Sequence, residues 1–383
     1  MRKIRVMIVD DSMLFRNWMV QNIGADPRFE VVGYAVNAIE ARDKLPQLKP
    51  DILTLDIEMP GMTGIDFLRE VLPLHPIPII LVSSLNVRVF DALAAGAVDF
   101  VRKPDMNMKG GKEAFLNTLK SKLCAGAEAQ VRLPAAAHGH SIGSVQAQGL
   151  GASRSSSGAA TTGAHTASSG AAATAGAHTT ASPASHHLPA NFGNIDVIAI
   201  GASTGGTEAI LEVVRQFPAR MPGIVITQHM PPGFTSMYAE RLNRICQLKV
   251  KEAVHGDKVQ PGQILLAPGG LQMRVVRMGS GYSVSCTNEG KVSGHRPSVD
   301  VLFDSVAANV KGRAIGVILT GMGADGAAGL LRMRKAGAYT IGQNRETCVV
   351  YGMPMEAYRA GAVCVQSALS SIPQVVMARL SKA

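Results

Sequence analysis

Residues Asp196–Arg215 read DVIAIGASTGGTEAILEVVR, and the fold of the second half of the chain turns on them. The apolar run Val197–Ile200 has the length and composition of a buried parallel strand. Gly201 breaks it. Beyond Gly205 and Gly206, the residues Ala209, Ile210, Val213 and Val214 recur at helical spacing. The stretch is therefore strand, tight turn, helix, with Ser203 at the turn. Gly201-Ala202-Ser203-Thr204-Gly205 also fits G-x-S-x-G, in which a serine stands above a sheet beside the first amides of a helix. Such amides favour negative charge and can hold the oxyanion formed when a hydroxyl attacks a carbonyl. Two other readings fit the same letters. A glycine-rich strand-to-helix turn also cradles phosphates, although Ser203 sits where G-x-G-x-x-G needs its second glycine. Ser203 or Thr204 as an ordinary helix N-cap is the blandest reading.

The chain has 383 residues, enough for two or three domains, with 46% apolar residues and only 4% aromatic ones. Its net charge of +10 suits an acidic partner, and the lack of a Lys/Arg block interleaved with aromatics argues against nucleic acid. The five cysteines are scattered without C-x-x-C spacing, which speaks against a disulfide framework or zinc site and for a reducing compartment. The apolar run after Met1 is short and ends in acid, and no run approaches a membrane span. A cytoplasmic protein without membrane insertion is the expectation.

Residues 1–123 alternate short apolar strands (Ile4–Val9, Ile52–Leu55, Ile77–Val82) with amphipathic helices (Met13–Ile23, Gly64–Leu72, Val87–Ala95). That alternation predicts a parallel sheet covered on both faces, with functional groups at the carboxyl ends of the strands. Asp10 and Asp11 follow the first strand, Asp56 ends the next, Ser83 another, and Lys103 follows a strand ending near Val101. Carboxylates gathered in one crevice repel each other unless a cation sits among them. Hard oxygen ligands and a lysine suit Mg²⁺ and a phosphoryl group. Asp56 would accept the phosphoryl, Asp10 and Asp11 would hold the metal together with Asp56, Lys103 would pair with the phosphoryl charge and Ser83 would hydrogen-bond it.

Residues 124–190 are dominated by Ala, Ser, Thr, Gly and His and are expected to be a flexible linker. Its histidines, His186-His187 included, fit low-complexity composition better than a metal site. Residues 191–383 again alternate strands with helices. Strands are expected at Val197–Ile200, Ile224–Thr227, Ile264–Ala267 and Ile315–Thr320, and a hairpin at 274–286 adds antiparallel strands. Three strands run into polar turns: Ile200 into GASTGG, Thr227 into QHMPPG, Leu319 into TGMGADG. If these strands are parallel neighbours, Ser203, His229 and Asp325 meet at one sheet edge as nucleophile, base and orienting acid. Each also has a bland reading: His229 as a lone turn histidine, Asp325 as a cap of the helix from Ala327, Met322 as core.

Both halves resemble known families. VDDS (Val9–Ser12), LDIEMPGMTG (Leu55–Gly64), VSS (Val82–Ser84) and AGAVDFVRKP (Ala95–Pro104) resemble a response-regulator receiver domain. That resemblance implies a flavodoxin-like five-stranded parallel sheet, phosphorylation of Asp56 by a histidine kinase and a switch residue at Phe100. IGASTGG (Ile200–Gly206), QHMPPGFT (Gln228–Thr235), LLAPGG (Leu265–Gly270), HRPSVDVLF (His295–Phe303), LTGMGADGAAG (Leu319–Gly329) and VVYGMP (Val349–Pro354) resemble the CheB chemotaxis methylesterases. That resemblance implies a doubly wound, mainly parallel α/β domain and the triad Ser203, His229 and Asp325. It also implies an oxyanion hole formed by the amides of His229 and Met322. It implies demethylation and deamidation of methyl-accepting chemotaxis receptors, a kinase of the chemotaxis array as phosphodonor, and no cofactor in the catalytic domain. The rival reading is a receiver-coupled regulator that binds a nucleotide at GASTGG.

Overall fold

The computed structural model describes residues 2–84, 87–105, 110–131 and 194–382. The expected linker, with its histidines His138, His140, His165, His178, His186 and His187, lies almost wholly outside these residues.

The N-terminal half runs β1 (Ile4–Val9), α1 (Met13–Gly24), β2 (Phe29–Ala35), α2 (Ala38–Leu48), β3 (Ile52–Leu55), α3 (Gly64–Val71), β4 (Ile79–Ser83), α4 (Arg88–Ala94), β5 (Asp99–Arg102) and α5 (Gly111–Gly126). Its five strands pair in parallel in the order β2-β1-β3-β4-β5. This is the flavodoxin-like order, in which ligands sit beside β1 and β3. Every residue of β3 and β4 is buried, as expected of strands covered on both faces. Helix α5 runs three residues beyond the expected end of this half, to Gly126.

The C-terminal half runs β6 (Val197–Ala202), α6 (Gly206–Val214), β7 (Gly223–Gln228), α7 (Phe234–Ile245), β8 (Lys249–Glu252), β9 (Lys258–Val259), β10 (Gln263–Leu266), β11 (Gln272–Met278) and β12 (Gly281–Thr287). It continues through α8 (Val299–Asn309), β13 (Ala314–Ile318), α9 (Ala327–Lys335), β14 (Tyr339–Gln343), α10 (Met353–Arg359), β15 (Val365–Ser367) and α11 (Ile372–Lys382). Seven strands form one sheet in the order β15-β14-β13-β6-β7-β10-β8, and every pairing in it is parallel. The expected hairpin exists, but it does not extend this sheet. Strands β11 and β12 pair antiparallel with each other and with β9 in a separate three-stranded sheet. Packing explains this: Met273, Val275 and Val284 of the hairpin are buried in one apolar cluster with Leu302 and Val306 of α8.

From β6 the chain winds outward to β7 and β10 on one side, and β13 to β15 lie on the other. The crevice at such a reversal is where open α/β sheets place their chemistry. The register brings Gly201 beside Ile318 and Ala202 beside Gln228, so the turns after β6, β7 and β13 share one edge.

Candidate active site and phosphoryl-acceptor site

The three turns at this edge have a common local design. Helices α1, α2, α3 and α8 begin with side-chain caps from Ser12, Asn37, Thr63 and Ser298. Helices α6, α7 and α9 instead begin at Gly205, Gly233 and Gly326, with φ of 74°, 87° and 91°. Only glycine enters that region without strain, and no side chain then occupies the helix N-terminus. The bland capping reading of Ser203 and Thr204 is thereby excluded. Close packing also requires glycine at the two positions that follow Thr204. A Cβ at Gly205 would lie 2.6 Å from Val349, and one at Gly206 would lie 2.1 Å from Gln228 Oε1.

Ser203 leaves the sheet with its amide still bonded to the Thr320 carbonyl at 3.0 Å. Its Oγ lies 3.0 Å from Nδ1 of His229, and His229 Nε2 lies 2.7 Å from Asp325 Oδ2. The three expected residues therefore form one hydrogen-bonded chain. The ring faces are exchanged relative to the serine-protease relay, in which Nε2 meets the serine. Asp325 fixes the proton on Nε2 and leaves the Nδ1 lone pair facing the hydroxyl.

Asp325 is 3% exposed and does more than receive the imidazole. Its carboxylate accepts from Ser298 Oγ at 2.7 Å, from the Val299 amide at 2.7 Å and from the Asp300 amide at 3.1 Å. It thus closes the N-terminus of α8, not of the helix that follows it in sequence. Burial alone would raise its pKa, but the bonds from His229, Ser298 and Val299 prevail and hold it below the usual carboxylate range. A carboxylate kept ionised beside an imidazole is what a serine relay needs.

One expectation is corrected. The His229 amide donates to the Ala202 carbonyl at 3.2 Å, continuing the β6–β7 ladder, and so is spent in the sheet instead of facing an oxyanion. Met322, the other expected donor, is on the exposed turn after β13, 37% accessible and at the cleft. Gly321 before it is required by close approach, because a Cβ there would stand 2.7 Å from Ser203 Cβ.

Two neighbours of the relay were not foreseen. The ring of His295 lies on that of His229, centroids 3.6 Å apart and planes 8° from parallel. Thr204, next to Ser203, donates through Oγ1 to Asp99 Oδ2 of β5 at 2.6 Å. This second contact belongs to an extended interface between the halves. Phe100 stacks at a tilt on Phe234 at 4.6 Å, and Phe90 stacks on Tyr238 at 5.4 Å. The Gln130 amide donates to the Val349 carbonyl at 2.9 Å. A cleft of about 780 Å³ above Ser203 has His229, His295 and Met322 on one wall and Ser121 and Lys122 of α5 on the other. A threonine and an aspartate paired across 105 residues carry no local signal in sequence.

Just past the carboxyl ends of β1 and β3, the carboxylates of Asp10, Asp11 and Asp56 come within 4.8 Å of one another. Lys103 Nζ reaches Asp56 at 2.5 Å and Asp10 at 2.8 Å. Burial, opposed by Lys103, pushes the pKa of Asp10 up. Lys103 is itself pushed up despite its burial, because Asp10 and Asp56 face it. Ser83 Oγ is buried and makes no hydrogen bond among the described residues. An orphaned hydroxyl beside clustered acids fits an oxygen-rich group and a divalent cation between them. Lys103 thus bridges Asp10 and Asp56, its amide donates to the Ser83 carbonyl at 2.8 Å, and Phe100, read from the sequence as a switch residue, packs on Phe234.

A flavodoxin-like domain with such an acidic crevice, joined to an α/β domain with a serine–imidazole–carboxylate chain, defines a response regulator whose output is a hydrolase. Comparison with known proteins agrees. The response regulator receiver domain family matches residues 6–109, and the CheB methylesterase family matches residues 198–376. A protein-glutamate methylesterase/protein-glutamine glutaminase 2 of Syntrophomonas wolfei is 47% identical over 98% of this chain and 97% of its own. The protein-glutamate methylesterase/protein-glutamine glutaminase of Escherichia coli strain UTI89 is 41% identical over 100% of this chain and 98% of its own. The CheB methylesterase catalytic domain of Thermotoga maritima is 34% identical, with a TM-score of 0.47, over 48% of this chain and 98% of that one. The chain belongs to the CheB family of response-regulator methylesterases. Among the described residues no helix is long and apolar enough to cross a membrane.

Proposed function

We propose that this chain removes γ-methyl esters from glutamates of methyl-accepting chemotaxis receptors, releasing methanol, and deamidates selected receptor glutamines. The observation that carries the reading is the chain from Ser203 Oγ through His229 to Asp325, with steps of 3.0 and 2.7 Å. Ser203 gives its proton to His229 Nδ1 as Oγ attacks the γ-carbonyl carbon. The Met322 amide and the uncapped N-terminus of α6 support the oxyanion. His229 then protonates the departing methanol or ammonia and leaves a glutamyl ester on Ser203. Water, deprotonated by the same imidazole, attacks that ester and frees the carboxylate and the serine. Both substrates are acyl groups at one carbon, so one site serves both. Lys122, Lys291 and Arg296 line the cleft, which suits acidic receptor helices.

Control falls to residues 1–123. A chemotaxis histidine kinase supplies the phosphoryl group to Asp56. Mg²⁺ held by Asp10, Asp11 and Asp56 would neutralise phosphoryl charge there, while Lys103 pairs with the phosphoryl oxygens and Ser83 hydrogen-bonds them. Residues 124–190 link this domain to the catalytic one at 191–383. In the conformation described, α5 and β5 cover the Ser203 cleft, and phosphorylation of Asp56 loosens that cover. The setting is cytoplasmic, with no nucleic acid involved. The test is methanol release from methylated receptor membranes by the full chain, with and without a small-molecule phosphodonor and Mg²⁺. Release that rises with the phosphodonor is expected. No methanol under either condition would remove the proposal.

A further inference from the structure

The relay's base touches one side chain that has no part in the proton path. His295 presents its ring face to His229 at 3.6 Å between centroids, 8° from parallel. The loop that carries it is not loose. Val292 and His295 exchange both backbone hydrogen bonds, at 3.0 and 2.9 Å. Gln272, fully buried, donates through Nε2 to the carbonyls of Gly290 and His295, each at 3.1 Å. Its Oε1 accepts from the Ser298 amide at 2.8 Å. Ser298 in turn donates to Asp325 Oδ1 at 2.7 Å. One buried amide therefore ties together the ring lying on the base and the helix terminus that holds the acid.

We infer that His295 is a positioning residue for the hydrolysis: its neutral ring, stacked on His229, keeps the base in the plane that joins Ser203 to Asp325 and presents a π face to the imidazolium formed during each acyl transfer. A flat ring removes the tilting freedom that two end-on hydrogen bonds leave, and misplacing the base by a fraction of an ångström weakens both proton transfers. A π face near a developing cation also favours the charged form. Neutrality is part of the device, because a second cation at 3.6 Å would oppose the charge that His229 must acquire. Burial and the neighbouring His229 push His295 down to about 4. The other charged groups acting on it are Asp325, which favours its proton, and Lys122 and Lys291, which disfavour it. The inference rests on His229 being the base, as proposed above.

The test compares full-length His295→Ala, His295→Asn and His295→Phe with wild type in methanol release from methylated receptor membranes, reading kcat, KM and the pH profile. Ser203→Ala and His229→Ala serve as controls. Loss of the ring in the Ala and Asn variants should lower kcat about 10- to 100-fold with KM within about 3-fold, and should move the acid limb of the kcat profile. Phe restores a flat ring without a titrating group and should recover kcat to within about 5-fold of wild type. Should Ala fail to fold, Asn and Phe decide. Wild-type kcat in a ring-less variant would overturn the inference, as would a Phe variant no better than Asn. Activity surviving in Ser203→Ala or His229→Ala would instead overturn the relay itself.

Discussion

Thr204 Oγ1, one residue beyond Ser203, donates a 2.6 Å hydrogen bond to Asp99 Oδ2 in the receiver. Both side chains are almost wholly buried, and Asp99 Oδ1 is bridged by Lys122 Nζ at 2.6 Å. Asp99 also directly precedes Phe100, which packs on Phe234. In the proposed mechanism this polar contact beside Ser203 holds the receiver over the cleft. Thr204→Val keeps the shape and removes the donor, leaving Asp99 its bond to Lys122. A buried hydrogen bond to a charged group is worth about 1.5–3 kcal/mol. Basal methanol release without phosphodonor should therefore rise several-fold, and stimulation by phosphodonor should shrink. Unchanged basal release would show that this bond does not hold the domains together.

The acidic crevice makes a second prediction. Asp56→Asn should abolish stimulation by phosphodonor and leave basal release near wild type, because the side-chain partners of Asp56 are Lys103 and the Glu58 amide, not the residues of the Ser203 chain. Chelating Mg²⁺ should do the same to the wild type. Acid-labile phosphate incorporation, measured beside methanol release, checks both. Incorporation that persists in Asp56→Asn would move the acceptor elsewhere.

Asp325→Asn should be costly in two ways. Its four donors, His229, Ser298 and the amides of Val299 and Asp300, all point at a carboxylate. An amide NH₂ in their midst faces donors and cannot hold the same tautomer. The kcat should fall about 10³- to 10⁴-fold, as in relays that lose their acid. The unfolding midpoint should fall with it, reflecting about 2–4 kcal/mol from the disrupted buried network. A variant with lost activity and unchanged stability would separate the orienting role from the capping of α8.

Neutral burial of His295 has a sign that can be read in solution. Its ordinary pKa is 6.5 and the fold lowers it to about 4, so the unfolded chain binds a proton that the folded chain refuses between those values. This contribution to stability is complete above pH 6.5 and is lost as pH falls to 4. Urea midpoints measured from pH 7 to pH 4 should drop more steeply for wild type than for His295→Phe. Parallel slopes would mean that His295 titrates normally in the fold.

Much of this arrangement was legible from the chain alone, for a local reason. Ser203, His229 and Asp325 each follow an apolar run that ends in a glycine- or proline-rich turn, and parallel sheets gather such turns on one edge. Asp10, Asp11, Asp56, Ser83 and Lys103 were readable in the same way. What escaped depends on contacts between distant segments. Asp325 was read as the acid that orients His229, with capping of its own following helix as the bland alternative; Gly326 takes that capping place, and nothing local announced that the same carboxylate closes α8, some 25 residues upstream. The Asp99–Thr204 bond and the His295 stack join residues with no common periodicity. Strands β8 and β9 are short, polar and at sheet margins, so their pattern is weak. Strands β14 and β15 gave too few apolar residues to stand out from the turns around them.

The most direct test of the account is methanol release by Ser203→Ala, full length and with phosphodonor and Mg²⁺ present, against methylated receptor membranes. The proposal takes that hydroxyl, 3.0 Å from Nδ1 of His229, as the attacking group, so release should fall to the background of membranes alone while circular dichroism stays unchanged. Release at more than about a tenth of the wild-type rate would contradict the account, because residual catalysis without a relay nucleophile is orders of magnitude lower.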